Sequence, residues 1–593
     1  MRTTSIRFAA ALLALWPTLV GAGVLLEIYE IQGSGMFSPY VGQEVETRDN
    51  VVTFVSTDGF FIQTPTSRAD ASEETSNAIF VYTGSVPSIS KGTLVDVSGR
   101  VVEFQRAGDA ANEALTEIVD PVITPLSSGA PLPAPVTFSP RGDRDQPENA
   151  IERFEGMLVS VPAGIATSGA DRFGDFYMVT GNDRPFREPG IEPGASNIPP
   201  GIPVWDGNPE VFEVAGAKAG DEARTIVAGS AIGAIEGVLT FAFGEFQAWP
   251  ASPFAIAPIE FPRSVRSRRA GEMTVASQNL LQLTSNAPRI EKFSRLIREI
   301  LRSPDVLAVS EAQSLAVLQN LAARITADDP SIRYSAHLVP GNDSYHVGFL
   351  VRDTFPAASV EQFGRDLTVP GRPDQKLFDR PPLLLRGSYI ANGAPFELSI
   401  LAVHLRSLID IETSDFARTK RHHGAVELAE LIASLPADIR LVVTGDFNAF
   451  EFTDGYVDVL AQITGAPSLG ALIPVEPVEN AKRLTNQTVI ATAAGGDRYS
   501  YVHGGNAQVL DHSLTTAALD AWVRGVEFGR ASADAPDALS GDSSTAIAAS
   551  DHDAPVLYII TDANGNGVPD DREQCDAGDG AAGRRRLVRL FCR

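Results

Sequence analysis

Residues 442–450 read VVTGDFNAF, an apolar run that ends in a carboxylate and an amide. Such an ending needs a reason, because a polar group taken out of water costs free energy unless it finds a partner. Asp446 and Asn448 lie one residue apart at the end of this run. We therefore expect both side chains on a turn after a buried strand, within reach of a common ligand.

The same pattern recurs in five other stretches, each with polar side chains at or beside the end of an apolar strand. These stretches are VASQN, AVSE, AVH, VLDH and SDHD, and they supply Asn279, Glu311, His404, Asp511, Asp551 and His552. Taken singly, each residue is more often a satisfied buried polar group than a ligand. Their recurrence favours one shared functional site.

In chain order over residues 272–560, the six stretches resemble the motif series of the endonuclease/exonuclease/phosphatase superfamily, and GDFN and SDHD are the most specific parts. The resemblance implies an α+β catalytic domain folded as a four-layer α/β/β/α sandwich. It places the site at one edge of two packed sheets. It also implies a metal-dependent phosphodiester hydrolase that attacks phosphorus in line with an activated water.

The metal ligands follow from the same resemblance. Asn279 and Glu311 match the metal-binding pair, and Asp551 matches another carboxylate near the metal. Oxygen ligands of this kind suit Mg²⁺, with Mn²⁺ as the alternative. Leu281 stands where some abasic-site enzymes carry a second acid, so abasic specificity is not supported.

The resemblance also gives the catalytic roles. His404 matches the histidine that hydrogen-bonds the scissile phosphate, and Asp511 matches the carboxylate that orients His552. Asp446 matches the carboxylate that aligns and deprotonates the attacking water, and Asn448 steadies the phosphate or that water.

Four neighbouring residues have open roles. GNDSYHVGFLVR carries possible substrate contacts, and LFDRPPL carries an arginine that is either an ion-pair residue or a phosphate contact. These residues are Asp343, Tyr345, His346 and Arg380.

The local pattern within 272–560 predicts both helices and strands. RIEKFSRLIREILRSP places apolar residues on one helical face, and a second helix is expected from about 413 to 435. Asn392-Gly393 between two apolar runs indicates a hairpin. The prediction is antiparallel sheets covered by helices.

Two smaller all-β domains are predicted ahead of this region. Short alternating strands over 23–126 predict a small barrel. Its stretches GFFIQTP and LVDVSGRVVEF resemble the OB-like domains found ahead of catalytic domains in secreted bacterial nucleases, and that resemblance implies a fold that often binds oligonucleotides. Phe60, Phe61 and Phe80 either stack on bases or fill the barrel core. Residues 127–150 form a linker rich in Pro, Gly, Ser and Asp, and 151–262 form a second β-rich domain.

Residues 1–22 have the pattern of a secretory signal peptide, with Arg2 and Arg7 before the apolar run Phe8–Val20 and a cleavage site after Ala22. The alternative is an N-terminal membrane anchor. The chain without this segment has 46 basic and 74 acidic residues, a net charge of −28. This charge argues against indiscriminate binding to a phosphate backbone. A secreted or extracellular location is predicted, with periplasm and cell surface as alternatives.

Residues 561–593 form an acidic tail that contains DANGNGVPDDRE at 562–573. Gly567 holds position 6 of a 12-residue calcium loop, and the oxygen-bearing side chains at positions 1, 3, 5, 9 and 12 are Asp562, Asn564, Asn566, Asp570 and Glu573. A Ca²⁺ site and a flexible acidic tail are both open. Secretion permits a disulfide between Cys575 and Cys592.

The sequence therefore predicts a secreted, metal-dependent nuclease that acts on extracellular DNA, with RNA left open. We expect a monomer without stable membrane insertion. The alternatives are a sphingomyelinase-like lipid phosphodiesterase and a non-catalytic surface-binding protein that keeps the fold.

Overall fold

The computed structural model describes residues 23–106, 114–140, 150–195, 197–218, 220–492 and 496–572. The predicted signal peptide, Glu573 and the two cysteines lie outside these residues. Two compact units are present. One comprises residues up to 136 with 147–159 and 237–246, and the other comprises 137–146, 160–236 and 247–593. The domain boundaries given above stay a prediction. None of the helices in the described ranges is long and apolar enough to cross a bilayer.

The first unit contains a sheet that closes on itself. Its elements are β1 Val24–Leu25, α1 Ile28–Gln32, β2 Glu44–Val55, β3 Gly59–Gln63, β4 Ala78–Tyr82, β5 Leu94–Phe104 and β6 Leu115–Ser127. Strand β2 pairs with both β3 and β5, and β6 pairs with β4 and β5, so the ring has no open edge between them. Closure removes the unpaired edge groups that an open sheet exposes.

The three phenylalanines considered for base stacking are internal to this barrel, whereas Tyr82 and Phe104 on its strands are exposed. Phe60 and Phe61 are fully buried, and Phe80 is 5% exposed. The rings of Phe61 and Phe80 lie 4.8 Å apart. The core interpretation is confirmed, and base stacking by these three residues is wrong, because their faces are covered by apolar neighbours.

The region between the barrel and residue 272 is built from short strands. They are Val136–Thr137 (β7), Leu158–Val161 (β8), Gly164–Ala166 (β9), Phe176–Thr180 (β10), Phe212–Val214 (β11), Ala231–Ile232 (β12), Ile235–Ala242 (β13), Glu245–Pro250 (β14) and Ile256–Ala257 (β15). Single 3-10 turns span Glu152–Phe154, Gly216–Lys218 and Asp221–Thr225. Within the second unit, β10 pairs antiparallel with β9 and β11.

Two six-stranded sheets follow. The first has the order β18-β19-β17-β16-β31-β30, from Tyr334–Leu338, His346–Arg352, Val306–Ala312, Glu272–Leu283, Ala554–Ile560 and Val523–Gly529. The second has the order β20-β23-β24-β25-β29-β26, from Ala357–Gln362, Leu383–Tyr389, Phe396–His404, Leu441–Asp446, Asp511–Thr516 and Leu484–Asn486. Two small hairpins pair Thr368–Val369 (β21) with Arg372–Lys376 (β22) and Tyr501–His503 (β27) with Asn506–Gln508 (β28).

The helices of this region begin at polar caps. They are α2 Ala287–Arg295, α3 Leu315–Asp328, α4 Asp415–Ser434, α5 Val459–Thr464, α6 Gln487–Ala491 and α7 Ala517–Asp520. The side chains of Asn286, Ser314 and Ser414 accept hydrogen bonds from the first turns of α2, α3 and α4. The π-turn Leu296–Ile300 follows α2 directly, and the 3-10 turn Asp537–Leu539 follows β30. The predicted helix at 413–435 and the hairpin at Asn392-Gly393 are confirmed.

The predicted antiparallel pairing holds for most strands of the two sheets, but each sheet also contains one parallel pair. Strand β16 runs parallel to β17, and β24 runs parallel to β25. Helices α2 and α4 lie in the connections between these strands. A parallel pair needs such a crossover, and the helix that makes it covers one face of the sheet.

Successive residues of the central strands enter different cores. Ile400 and Val442 pack with Val275 and Phe349 in a cluster that contains both sheets. Leu401 and Val443 pack instead with helix α4 through residues such as Leu428. Leu307 and Val556 of the first sheet pack with α2 and α3. Successive side chains of a strand point to opposite faces of its sheet. Alternate residues therefore pack either in the core that contains both sheets or in a core that contains helices.

Candidate active site

Strand register brings three predicted residues into one row across the second sheet. His404 on β24 stands opposite Asp446 on β25, and Asp446 stands opposite Asp511 on β29. Directly paired residues project from the same face of a sheet. The ends of these three strands therefore place an imidazole and two carboxylates side by side.

Gly445 makes the approach of β25 to β24 possible. Its φ is 143°, and a Cβ there would lie 2.0 Å from the carbonyl oxygen of Val403. Only glycine fits such a contact. The glycine of GDFN thus has a packing role directly before Asp446.

The first sheet contributes Asn279 and Glu311 from the parallel strands β16 and β17. Asn279 Nδ2 donates to Glu311 Oε1 at 3.2 Å and to Asp446 Oδ2 at 3.1 Å. Glu311 has a φ of 59°, outside the region that suits a residue with a side chain. Strain of this kind is concentrated at functional sites. Here the strained residue is Glu311, and its carboxylate lies near His404 of the second sheet.

His552 precedes β31 and completes the row. Its Nδ1 lies 2.7 Å from Asp511 Oδ2, and its Nε2 lies 3.8 Å from Asp446 Oδ2. Burial lowers the pKa of His552, but the charges of Asp511 and Asp446 outweigh burial and hold this pKa well above its usual value. The ring of Tyr501 lies 4.8 Å from the His552 ring. His552 is thus a buried imidazolium fixed by a carboxylate.

Asp446 has a pKa suited to proton transfer at neutral pH. Burial raises its pKa to about 7, while the charge of His552 opposes the rise and that of Asp511 adds to it. Asn448 donates its backbone N–H to Asp446 Oδ1 at 2.8 Å, which fixes the carboxylate. A general base works best when its pKa lies near the operating pH.

His404 is a neutral imidazole. Burial lowers its pKa well below the usual value, and the charges of Arg380 and His552 add to the effect. Its Nε2 lies 3.5 Å from Asp446 Oδ2 and 3.3 Å from Arg380 Nη2. Its buried Nδ1 has no hydrogen-bond partner among the described residues.

Asn448 and Asp551 lie at the border of this cluster. Asn448 has a φ of 46°, and its Nδ2 donates to the carbonyl of Leu405 at 3.2 Å. Asp551 accepts from Ser550 Oγ at 3.3 Å, and the same hydroxyl donates to the carbonyl of Asn279 at 2.7 Å. Both residues thus stand beside the row, and their predicted roles stay predictions.

The donor set fits a hard divalent cation. Glu311 keeps 20% of its side chain exposed, and its Oε1 lies 3.9 Å from His404 Nε2. The carboxylates of Glu311 and Asp446 both accept from the amide nitrogen of Asn279, which places partial positive charge between them. Oxygen ligands of this kind are those that Mg²⁺ prefers.

A second grouping also has metal-ligand atoms close together. One oxygen each of Asp446 and Asp511 and one nitrogen of His552 lie within 4.8 Å of one another. Asn279 turns its amide nitrogen toward Glu311 and Asp446, and its Oδ1 accepts from the Leu281 N–H at 2.9 Å. Asp511 and His552 already neutralise each other at 2.7 Å, so Glu311 is the less committed carboxylate. Asp446 borders both groupings.

Sequence reasoning missed four side chains that support the row. Arg421 donates to the carbonyl of Asn448 at 2.8 Å, and Ser500 Oγ accepts the Asp511 N–H at 3.1 Å. Gln278 Nε2 donates to the carbonyl of His552 at 3.0 Å, and the Tyr501 ring packs against the His552 ring at a tilt of 41°. Arginine, serine, glutamine and tyrosine at these positions match no motif, so no local signal could have found them.

The residues with open roles divide into two groups. Arg380 contacts both His404 and Asp343, with 3.1 Å between its Nη1 and Asp343 Oδ2. It is therefore an ion-pair residue that also borders the row. His346 Nδ1 accepts from the Gly341 N–H at 3.2 Å, which is a loop contact. Tyr345 lies in the same loop as a neighbour of these residues, and its role stays open.

The predicted calcium loop folds around its first aspartate. Asp562 Oδ1 accepts from the N–H groups of Gly565 and Asn566 at 2.8 and 3.1 Å, and Oδ2 accepts from Gly567 at 2.7 Å. Asp570 Oδ1 accepts from the Ala563 N–H at 2.9 Å. The loop thus closes around the Asp562 carboxylate, while Asn564 and Asn566 are exposed.

Comparison with known proteins gives two family matches. Residues 276–552 match the model of the Endonuclease/Exonuclease/phosphatase family. Residues 147–258 match a Domain of unknown function (DUF8508). No curated protein matches the chain in sequence.

Several solved structures are similar to about half of the chain. Truncated Caenorhabditis elegans TDP2 has 16% identity and a TM-score of 0.32, covering 50% of this chain and 100% of its own. D. rerio TDP2 complexed with single strand DNA product has 14% identity and a TM-score of 0.33, with 48% and 98% covered. An endonuclease/exonuclease/phosphatase from Bacteroides vulgatus has 15% identity and a TM-score of 0.33, with 49% and 99% covered.

Proposed function

We propose that this chain, which carries a domain of the endonuclease/exonuclease/phosphatase family over residues 276–552, is a metal-dependent phosphodiester hydrolase that acts on nucleic acid. The observation that carries the proposal is the row of His404, Asp446 and Asp511 completed by His552. Phosphodiester hydrolysis needs a base for water and donors for the phosphoryl oxygens. The row contains both.

Each side chain of the row has a distinct task. Asp446 takes the proton of the attacking water, since its pKa of about 7 allows both protonation states near neutral pH. His552, held charged by Asp511, donates to the phosphoryl oxygens and offsets their negative charge. His404 donates a hydrogen bond to the same group, and Asn448 steadies the phosphate or the water.

Asn279, Glu311 and Asp551 are the residues that would hold Mg²⁺ or Mn²⁺. When bound, the ion supplies positive charge that offsets the charge developing on the transferring phosphoryl group. Arg380 acts as a positioning residue for His404, because it touches the imidazole and is itself paired with Asp343.

Several finer features of the proposal have structural support. The inner core shared by two sheets and the helices on each outer face support a four-layer α/β/β/α sandwich. The closed ring of the first unit supports the OB-like assignment and hence a nucleic acid substrate. From the sequence alone we further propose that DNA is the preferred substrate, that the chain acts as a monomer and that it is secreted.

The tail loop is the second proposed metal site. Asp562, Asn564, Asn566 and Asp570, with Glu573, bind Ca²⁺. The turn of the loop around the Asp562 carboxylate supports this assignment. The site stabilises the tail and takes no part in hydrolysis.

The experiment that tests the function is incubation of purified protein with plasmid DNA, RNA and sphingomyelin, with Mg²⁺ and with chelator. Cleavage of nucleic acid that chelation abolishes and Asp446→Asn suppresses is expected. Cleavage of sphingomyelin alone would replace nucleic acid by a lipid substrate. Absence of cleavage of all three would overturn the proposal in favour of a binding protein.

A further inference from the structure

Two consecutive histidines of helix α4 face one carboxylate of the loop that follows α5. His422 Nε2 lies 2.9 Å from Glu476 Oε1, and the rings of His422 and His423 lie 5.1 Å apart. One ligand atom from each of the three residues lies within 4.8 Å of the others. We propose that His422, His423 and Glu476 form a transition-metal site for Zn²⁺, separate from the hydrolytic row.

The donor chemistry selects the ion. Two imidazole nitrogens and one carboxylate oxygen are ligands that Zn²⁺ takes with water in a fourth position. Ligand atoms around a tetrahedral Zn²⁺ lie about 3.3 Å apart, so the most distant atom has to move by about 1.5 Å at most. A side-chain rotation covers that distance. Mg²⁺ prefers all-oxygen sites and does not compete well for two imidazoles.

The loop is built to hold Glu476 in place. The Glu476 N–H donates to Gln462 Oε1 at 2.7 Å, and Gln462 Nε2 donates to the Glu476 carbonyl at 2.9 Å. These two bonds fix the backbone of Glu476 against α5. Residues 465–483 otherwise contain neither helix nor strand. A metal ion would therefore tie this loop to α4 and hold it against the domain.

Metal binding by the full-length chain tests the proposal. Zn²⁺ stoichiometry is measured by native mass spectrometry, and the coordination is examined by Co²⁺ substitution in visible absorption. We compare wild type with His423→Ala and Glu476→Gln. Glu479→Gln is the matched control, because it removes the same charge from an exposed position of the same loop.

The wild type and Glu479→Gln are expected to hold one Zn²⁺ more than His423→Ala and Glu476→Gln, and to show a tetrahedral Co²⁺ band. Glu311→Gln should keep this Zn²⁺ ion, and that result distinguishes the ion from a metal bound beside the row of His404, Asp446 and Asp511. Mg²⁺-dependent hydrolysis should be unchanged in His423→Ala. Equal Zn²⁺ stoichiometry in wild type and both site variants would overturn the proposal, and so would a Co²⁺ band that survives in Glu476→Gln.

Discussion

His552 Nδ1 donates to Asp511 Oδ2 across 2.7 Å, and both side chains are buried. The two residues are 41 positions apart in the chain and meet only because β29 and the segment before β31 come together. The hydrogen bond fixes the imidazole so that its Nε2 faces Asp446. Asp511 therefore acts on the reaction through His552.

Asp511→Asn should lower kcat by at least about 10²-fold, because the amide cannot stabilise the imidazolium that donates to the phosphate. KM should change little, since Asp511 does not touch substrate. Steady-state kinetics with a defined oligonucleotide check this. The control is the melting temperature, which has to stay near that of wild type. A folded variant with kcat within tenfold of wild type would show that Asp511 has only a structural role.

Asp446→Asn and Glu311→Gln should fail in different ways. Loss of the base lowers kcat by about 10²–10⁴-fold, and added Mg²⁺ does not restore it. Loss of the Glu311 carboxylate weakens metal binding, so activity returns in part as Mg²⁺ rises. The measurement is kcat as a function of Mg²⁺ concentration for both variants. If Asp446→Asn keeps more than about a tenth of wild-type kcat, the base lies elsewhere.

The ion pair of Arg184 and Asp534 should stabilise the second unit. Arg184 Nη2 lies 2.7 Å from Asp534 Oδ1, with 14% and 5% of the two side chains exposed. Asp534→Asn leaves a buried arginine without its counter-charge, which costs roughly 3–5 kcal/mol of unfolding free energy. Denaturant unfolding measures the change. Asp221→Asn removes the partner of Arg224 on the surface and should leave stability unchanged. Equal behaviour of both variants would contradict this account.

Buried His512 should make the fold less stable in mild acid. Its Nε2 donates to the Ala449 carbonyl at 2.9 Å, its Nδ1 accepts from Asn486 at 3.1 Å, and burial lowers its pKa to about 4. The unfolded chain binds this proton near pH 6.5, so the unfolded state holds more protons between pH 6.5 and 4. Stability from neutral His512 is full above pH 6.5 and is lost as pH falls toward 4.

The difference in melting temperature between wild type and His512→Gln, measured from pH 7.5 to 4, isolates this effect. Over that range the free energy of unfolding of the wild type should fall by up to about 3 kcal/mol more than that of the variant. Parallel pH profiles of the two proteins would assign the acid sensitivity to other groups.

Ca²⁺ should bind to the tail loop of the full-length chain. Asp562→Ala with Glu573→Ala should abolish one calorimetric Ca²⁺ site and leave hydrolysis in Mg²⁺ unchanged, because the loop follows the last core strand. The test is titration of both proteins with millimolar Ca²⁺. No heat in the wild type would leave the loop as an acidic surface segment.

The sequence by itself determined several secondary-structure elements and named the residues that form the row. Apolar alternation and turn residues identified the hairpin at Asn392-Gly393 and the helix Asp415–Ser434. GDFN and SDHD indicated the family whose model matches residues 276–552. These features are local, since a strand end or a helix cap depends on residues within a few positions.

Only the tertiary structure decided which strands are neighbours and at what register. Residues far apart in the chain meet in three places. These are the row of His404, Asp446 and Asp511, the parallel strand pair of each sheet, and the contact of His422 with Glu476. The burial of Phe60 and Phe61 was also decided there, because an alternating aromatic strand has the same pattern whether its ring face meets a ligand or a core. Register and partner choice depend on how complementary faces pack over long separations, and a local pattern contains no such information.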